Sequence, residues 1–154
     1  MLHPYEKNWD INTIKREMYV TRDIGIGHAM FRSKFFTDDT KGIYDLSKKI
    51  YSTKSIRPAT TWIDSIAPSA PQYIRTDKEN LFWGESTDNM QKAGITYNIY
   101  ASNSYPVDTE NSQNLIAVSV RNHEWTIPTR CKNMNFAVRA MDRSGNESEP
   151  IATP

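Results

Sequence analysis

The sequence predicts a mainly β protein, with a seven-stranded antiparallel sandwich preceded by a helix, a strand and a second helix. Three observations support this prediction. Apolar residues alternate with polar ones in several short segments of the C-terminal part. Turn-forming residues separate these segments at short, even intervals, as in all-β sandwiches. Before residue 58, in contrast, apolar residues recur at the spacing of three and four that is typical of helices.

The clearest strand lies near the C-terminus. Met134, Phe136, Val138 and Ala140 alternate with Asn135, Ala137 and Arg139, which indicates a strand with one buried face. A turn is predicted directly after it, over residues 142–146, because Asp and Asn side chains bond their own backbone and Gly145 tolerates a positive φ. Together with a final short strand, these residues predict a C-terminal hairpin.

The same criteria predict seven strands: Gln72–Thr76, Asn80–Trp83, Ile95–Ala101, Asn114–Val120, Glu124–Ile127, Asn135–Met141 and Glu149–Ala152. Alternation directs Trp83, Tyr97, Phe136 and Trp125 toward the core. Ahead of these strands, Ile66–Pro71 contains two prolines and is predicted to be a short stiff linker. We therefore expect two domains, over residues 1–65 and 66–154.

The first domain is predicted from caps and periodicity. Asp10 is suited to cap a helix over Ile11–Asp23, which Gly25 and Gly27 then end. Gly27–Phe36 is expected to be a buried strand, and a helix of about ten residues is expected to begin at Ile43. A single strand has no pairing partner of its own, so these residues indicate the end of a larger fold.

The two helices carry apolar faces that include Ile14, Met18, Leu46 and Ile50. Such faces do not stay in contact with water in a stable protein. We expect them to pack on the sandwich, to pack on a second copy of the chain, or to remain disordered.

Composition excludes several functions. The 154-residue chain has a net charge of +1, which gives no electrostatic basis for binding nucleic acid or an anionic membrane. Its apolar runs are far shorter than the roughly 20 residues of a membrane span, and no signal peptide follows Met1. If the sequence is the whole protein, a cytoplasmic location is expected. If it is a piece of a longer protein, the secretion signal can lie in the rest of that protein.

Several segments resemble a bacterial fibronectin type III domain over residues 68–154. They are Leu81-Phe82-Trp83, Tyr97–Tyr100, Ile127-Pro128, Phe136–Ala140 and the Asp142, Gly145, Asn146 and Ser148 positions. The resemblance implies an immunoglobulin-like sandwich. Met134 stands where such domains usually have the tyrosine of the tyrosine corner, and a thioether cannot replace the phenol hydrogen bond. Something else must hold the turn before this strand.

The N-terminal part is similar to the last segment of a bacterial (β/α)8 glycoside-hydrolase-like protein of the family-10-like kind. The matching stretches are Ile14–Asp23, Ala29–Phe36 and 42–51. The resemblance implies that the chain is the tail of a carbohydrate-active, extracytoplasmic (periplasmic or cell-surface) protein, with residues 1–65 as the remnant of its barrel. The implied partners are the rest of that polypeptide, a second copy of the chain, or a polysaccharide.

No catalytic residue is predicted. Glycosidases need two carboxyl groups facing each other across the scissile bond, and in such barrels these come from earlier strands. Asp38 and Asp39 are expected to be solvated turn formers. Arg32, Ser33 and Lys34, at the end of the predicted strand, are candidates for sugar contact in an intact parent barrel only.

No metal and no cofactor are predicted either. His3, His28 and His123 show no ligand spacing, and Gly25-Ile26-Gly27 lacks the other parts of a phosphate loop. Cys131, the single cysteine, is expected in a polar loop beside Arg130 and Lys132. This position can lower its pKa, but no partner for a nucleophile is evident, so a spare thiol is expected.

Sugars stack on exposed aromatic rings, and Tyr100, Tyr105 and Trp62 are the candidates for exposure. The sequence thus favours a non-catalytic accessory module that packs, spaces or positions other modules. A carbohydrate-binding module using these rings is the alternative. A glycoside hydrolase active only in the full-length parent, or assembled from several chains, is the remote third hypothesis.

Overall fold

The computed structural model describes residues 9–30, 32–77, 79–90 and 94–153, and it divides the chain into two compact units. The first unit ends at Ser52 and the second begins at Thr53, so the division precedes the predicted boundary between residues 65 and 66. Thr60 N donates to the carbonyl oxygen of Ser144 at 2.7 Å, which fixes the segment ahead of the predicted boundary to the sandwich.

The prolines of the predicted linker belong to the same unit. Pro68 and Pro71 are both buried. Between them, Ser69 N donates to the carbonyl oxygen of Thr87 at 2.8 Å. The two prolines, with their fixed φ, therefore belong to a segment that packs on the sandwich and not to an exposed linker.

The first unit contains three α-helices: α1 over Ile11–Asp23, α2 over Lys34–Thr37 and α3 over Ile43–Ile50. A 3-10 turn over Thr40–Gly42 leads into α3. The predicted bounds of α1 are confirmed, since Asp10 Oδ1 accepts from Thr13 N at 2.9 Å and Gly25 follows the helix at φ +71°. An N-cap aspartate stabilises a helix in this way, because its carboxylate accepts from a backbone amide of the first turn that otherwise has no partner.

The strand expected over Gly27–Phe36 is wrong. No strand occurs there among the described residues; Met30 forms a single bridge, and α2 begins at Lys34. A short apolar run cannot be assigned to strand or helix from periodicity alone. Phe31, within that run, lies outside the described residues.

The helices of the first unit bury their apolar faces on one another. The buried residues are Ile14, Met18, Phe35, Ile43 and Ile50, with Ile11, Met30, Phe36 and Leu46 packed around them. The expectation that these faces need the sandwich, a second copy or disorder is therefore wrong. A small helical core therefore forms among the described residues of this unit.

The second unit consists of two antiparallel sheets, and all seven predicted strands are present. They are β1 (Ile74–Thr76), β2 (Asn80–Trp83), β3 (Thr96–Ser102), β4 (Leu115–Val120), β5 (Glu124–Thr126), β6 (Asn135–Met141) and β7 (Ile151–Ala152). One sheet has the order β1-β2-β5 and the other β4-β3-β6-β7. β2 and β6 have the predicted bounds.

The main core lies between these sheets. Leu81 and Trp83 come from β2, Tyr97, Ile99 and Ala101 from β3, and Phe136, Val138 and Ala140 from β6. Ala117, Ile127 and Cys131 complete this core. The alternation in the sequence therefore identified the buried face correctly, including Trp83, Tyr97 and Phe136. Trp125 and Met134 are partly buried against the same core. Burying each large apolar side chain stabilises the fold by about 1.5–3 kcal/mol.

Cys131 belongs to this core as well. It is buried at the end of a short 3-10 helix over Thr129–Cys131. The prediction of a polar loop position is wrong for its side chain, because only its neighbours Arg130 and Lys132 face solvent. Buried cysteine packs as a small apolar residue.

The outer face of the four-stranded sheet is also covered. Tyr100, Val107, Leu115 and Ala137 form a second apolar cluster, and Ile56 from the segment before β1 packs against it. β4 pairs irregularly with β3, and Ser119 in β4 has φ +55°. The backbone N of Ser119 donates to the side-chain Oδ1 of the buried Asn98 at 3.0 Å.

Candidate functional site

Three aspartates from separate parts of the second unit form an acidic cluster. Asp64 precedes β1, Asp88 lies between β2 and β3, and Asp142 directly follows β6. One carboxylate oxygen from each lies within 4.8 Å of those of the other two. Asp64 and Asp142 are only 9% and 4% exposed. Among the described residues, this is the one group of His, Cys, Asp and Glu side chains with the geometry to hold a metal ion.

The turn after β6 positions Asp142. Its Oδ1 accepts from the backbone N of Asn146 at 2.9 Å, and its Oδ2 accepts from the Asn146 side chain at 2.7 Å. Gly145 has φ +88°, as the sequence predicted for this turn. The Asn146 amide also donates to the carbonyl oxygen of Asp64 at 2.9 Å, so the same side chain connects two of the three aspartates.

Asp64 and Asp88 have fewer hydrogen bonds on their carboxylates. Oδ1 of Asp64 accepts from Ile66 N at 3.0 Å and from the Asn89 side chain at 3.4 Å. Oδ2 of Asp88 accepts from Met90 N at 3.3 Å, whereas its Oδ1 is buried and accepts no hydrogen bond. An acceptor buried without a donor is uncommon and calls for a physical explanation.

A cavity of about 390 Å³ opens beside the cluster, and all three aspartates line it. Arg57 and Arg143 line the same cavity together with apolar groups of Ile63 and Met90. Neither arginine forms an ion pair with the three aspartates, nor does any other described cation. The site therefore combines concentrated negative charge with space for a small ligand.

This arrangement is poorly suited to glycoside hydrolysis. Retaining enzymes do place two carboxyl groups about 5 Å apart, but the groups must reach the scissile bond of a sugar. Asp142 is almost fully buried, and both of its oxygens are bonded to Asn146. Binding of a small cation is the chemistry that such enclosed oxygens can perform.

A second polar group, on the outer face of the four-stranded sheet, is centred on Glu147. Its Oε1 accepts from the Asn98 side chain at 2.7 Å and from the Tyr100 hydroxyl at 2.9 Å, and its Oε2 lies 3.5 Å from Arg139. Burial, reinforced by the Glu147 carboxylate, raises the pKa of Tyr100 above its ordinary value. Asn98, Tyr100 and Arg139 all contact the Glu147 carboxylate, which is typical of a network that stabilises a fold.

The residues predicted to contact sugar in a parent barrel lie elsewhere. Arg32, Ser33 and Lys34 are exposed at the beginning of α2, and Lys34 pairs with Asp38 at 2.9 Å. Their expected place at the end of a strand is wrong. The turn role expected for Asp39 is confirmed, since its Oδ1 accepts from Tyr44 N at 2.9 Å.

Exposure separates the three aromatic candidates. Trp62 and Tyr105 are 81% and 60% exposed, as expected, and glycan stacking on them stays a prediction. Tyr100 is 2% exposed, so the exposure expected for it is wrong and its ring is closed to a sugar.

Each described histidine has a hydrogen-bond partner. His28 contacts Thr21 and Tyr51 within the helical unit, and His123 Nε2 lies 3.0 Å from the Tyr97 hydroxyl. His3 lies outside the described residues.

The acidic cluster was missed by sequence reasoning because its members are far apart along the chain. The one local signal was the turn chemistry around Asp142, which predicts a hairpin and says nothing of Asp64 or Asp88.

No helix in the described part of the chain has the length and apolar character needed to cross a membrane. No protein-family model and no curated protein matches the sequence.

Proposed function

We propose that the chain is a non-catalytic C-terminal accessory module of a bacterial, carbohydrate-active protein, where it packs against or spaces other modules. The observation that carries this proposal is the architecture of the second unit. Its chain passes repeatedly between the sheets, so that β2 pairs with β5 and β3 with β6. Crossovers of this kind are typical of immunoglobulin-like sandwiches, which include fibronectin type III domains.

The polar groups of this unit support a structural role. The Glu147 network joins β3 and β6 to the chain beyond β6, and His123 bonds to the core residue Tyr97. Two of the three described carboxylates that converge, those of Asp64 and Asp142, are almost fully buried. A fold alone does not define a function, so the resemblance to the tail of a glycoside-hydrolase-like protein supplies the carbohydrate context and the extracytoplasmic setting.

Two measurements test this proposal. The purified chain should not turn over aryl glycosides, and the genomic DNA ahead of the Met1 codon should encode an in-frame (β/α)-periodic segment with a secretion signal. Turnover that Asp88→Asn abolishes would establish an active centre and overturn the non-catalytic role. A stop codon and promoter directly ahead of Met1 would overturn the proposed parent.

Glycan binding is the second candidate, and the exposure of Trp62 and Tyr105 favours it. Flat exposed rings present apolar faces that a sugar can cover. Affinity electrophoresis in gels that contain plant or host polysaccharides measures this directly. Retardation that Trp62→Ala or Tyr105→Ala removes, and that Tyr73→Ala leaves intact, would establish binding; Tyr73 is a matched control because its side chain is half exposed in the same unit.

A further inference from the structure

We propose that Asp64, Asp88 and Asp142 bind one divalent cation, Ca²⁺, which fastens the segment before β1 to the sandwich. The cation would join three segments that are far apart along the chain. This role is independent of the accessory function proposed above.

The charge of the cluster is the first reason. Three carboxylates have oxygens within 4.8 Å of one another, and two of the three residues are at least nine-tenths buried. Among the described residues no lysine, arginine or histidine forms an ion pair with them. A buried charge normally has a partner or coordinates a metal.

Unpartnered oxygens are the second, independent reason. Oδ1 of Asp88 is buried with no hydrogen-bond donor. Both hydrogen bonds that the Asp64 side chain accepts from described residues end on its Oδ1, so its Oδ2 has no donor there. Asp64 is 9% exposed and lines the cavity. A cation between these carboxylates would give the buried Oδ1 of Asp88 the partner that it lacks.

The size and chemistry of the site favour Ca²⁺. Ca²⁺–oxygen distances of 2.3–2.6 Å place opposite ligands about 4.6–5.2 Å apart, whereas Mg²⁺ requires about 4.0–4.2 Å. The three oxygens lie within 4.8 Å of one another, so Ca²⁺ can contact all three at its ordinary bond lengths. Mg²⁺ usually keeps several waters and is held by one or two carboxylates. Carboxylate oxygens select hard cations over zinc or copper. The cavity of about 390 Å³ has room for the waters that would complete coordination.

An arginine is the alternative source of positive charge. Arg57 and Arg143 line the cavity and belong to the segment before β1 and to the turn after β6. If either one neutralised the aspartates, the protein would not respond to Ca²⁺, and removal of that arginine would destabilise it. The two explanations thus predict opposite responses to added metal.

Calorimetric titration of the full chain with CaCl₂ tests the proposal directly. We expect a single site with a dissociation constant of roughly 0.1–1 mM, in the range of extracellular calcium modules. About 10 mM CaCl₂ should raise the midpoint of thermal unfolding by about 5 °C relative to EGTA. MgCl₂ at the same concentration should give a smaller rise.

Asp88→Asn is the variant that tests the site, and Asp108→Asn is its matched control. Asp88→Asn should weaken Ca²⁺ binding by about tenfold or more, since it removes a charged ligand. In EGTA it should unfold at or above the temperature of the wild type, because it relieves repulsion within the cluster. Asp108 is exposed in the same unit and outside the cluster, so Asp108→Asn should keep the full response to Ca²⁺.

Four results would overturn the proposal: no binding heat and no stabilisation at about 10 mM CaCl₂, unchanged affinity in Asp88→Asn, equal loss of affinity in Asp108→Asn, or destabilisation of a Ca²⁺-insensitive protein by Arg57→Gln or Arg143→Gln. Near-ultraviolet circular dichroism checks that Asp88→Asn is folded. If it is not, Asp64→Asn replaces it with the same expected loss of affinity.

Discussion

Replacement of Glu147 by alanine should destabilise the sandwich more than any exposed acidic residue can. The Glu147 side chain is 10% exposed and accepts from Asn98 and Tyr100. Asn98 is fully buried and Tyr100 is 2% exposed. Truncation at Glu147 therefore leaves the buried Tyr100 hydroxyl without its acceptor and leaves Asn98 Nδ2 with only the Met141 sulfur, a weak acceptor at 3.5 Å.

The magnitude follows from these two donors. A buried polar group that loses its partner costs about 1–3 kcal/mol, and more where the partner was charged. Two such groups predict a loss of about 3–5 kcal/mol in the free energy of unfolding. The ion pair with Arg139 adds little to this sum, because its atoms are 3.5 Å apart and Arg139 has a second partner in Glu110. Glu147→Gln keeps one acceptor oxygen and should cost less than Glu147→Ala.

Glu110→Ala is the matched control. Glu110 lies closer to Arg139, at 3.1 Å, but its side chain is 81% exposed. Exposed ion pairs contribute about 0–1 kcal/mol, so this variant should unfold almost as the wild type does. Urea unfolding followed by tryptophan fluorescence reports mainly on the sandwich, since three of the four tryptophans (Trp62, Trp83 and Trp125) lie in the second unit. Equal losses in Glu110→Ala and Glu147→Ala would refute the reasoning from burial.

Three further changes have defined outcomes. Because burial raises the pKa of Tyr100, the folded chain holds the phenol proton more tightly than the unfolded chain does. The stability that this difference provides is present below about pH 10 and is lost as the pH rises further. In urea unfolding, the free energy of unfolding of Tyr100→Phe should therefore fall less steeply with rising pH than that of the wild type. Gly145→Ala should cost about 1–2 kcal/mol in the same assay because φ is +88° and a Cβ would lie 3.2 Å from the Cα of Ala59. Cys131 is buried and should react with a thiol reagent only after unfolding, so rapid native labelling would contradict its place in the core.

Local patterns account for the parts of the fold that the sequence predicts well. β2 and β6 have the predicted bounds because a period of two is a property of each strand alone. The α1 cap and the turn at 142–146 are likewise set by side chains that bond to their own backbone. These elements need no knowledge of distant residues.

Apart from the strand expected over Gly27–Phe36, where the local pattern was ambiguous, the predictions that failed depend on distant residues. Alternation in β3 places Tyr100 on the face opposite Tyr97, which would be exposed in a sandwich with bare outer faces. In this protein Ile56 and Val107 cover that face, so β3 is buried on both sides. The same segment before β1 also brings Asp64 to the acidic cluster. Neither contact has a signature in the local sequence.

The edges of the two sheets bear on how the protein behaves at high concentration. Among the described strands, β1, β5 and β7 are edge strands of three, three and two residues. The remaining edge strand, β4, has six residues, but Ser119 turns its backbone to φ +55°. Intermolecular strand addition requires a long, straight row of free amides and carbonyls. A sandwich bounded by short or kinked edge strands therefore offers a poor template for self-association.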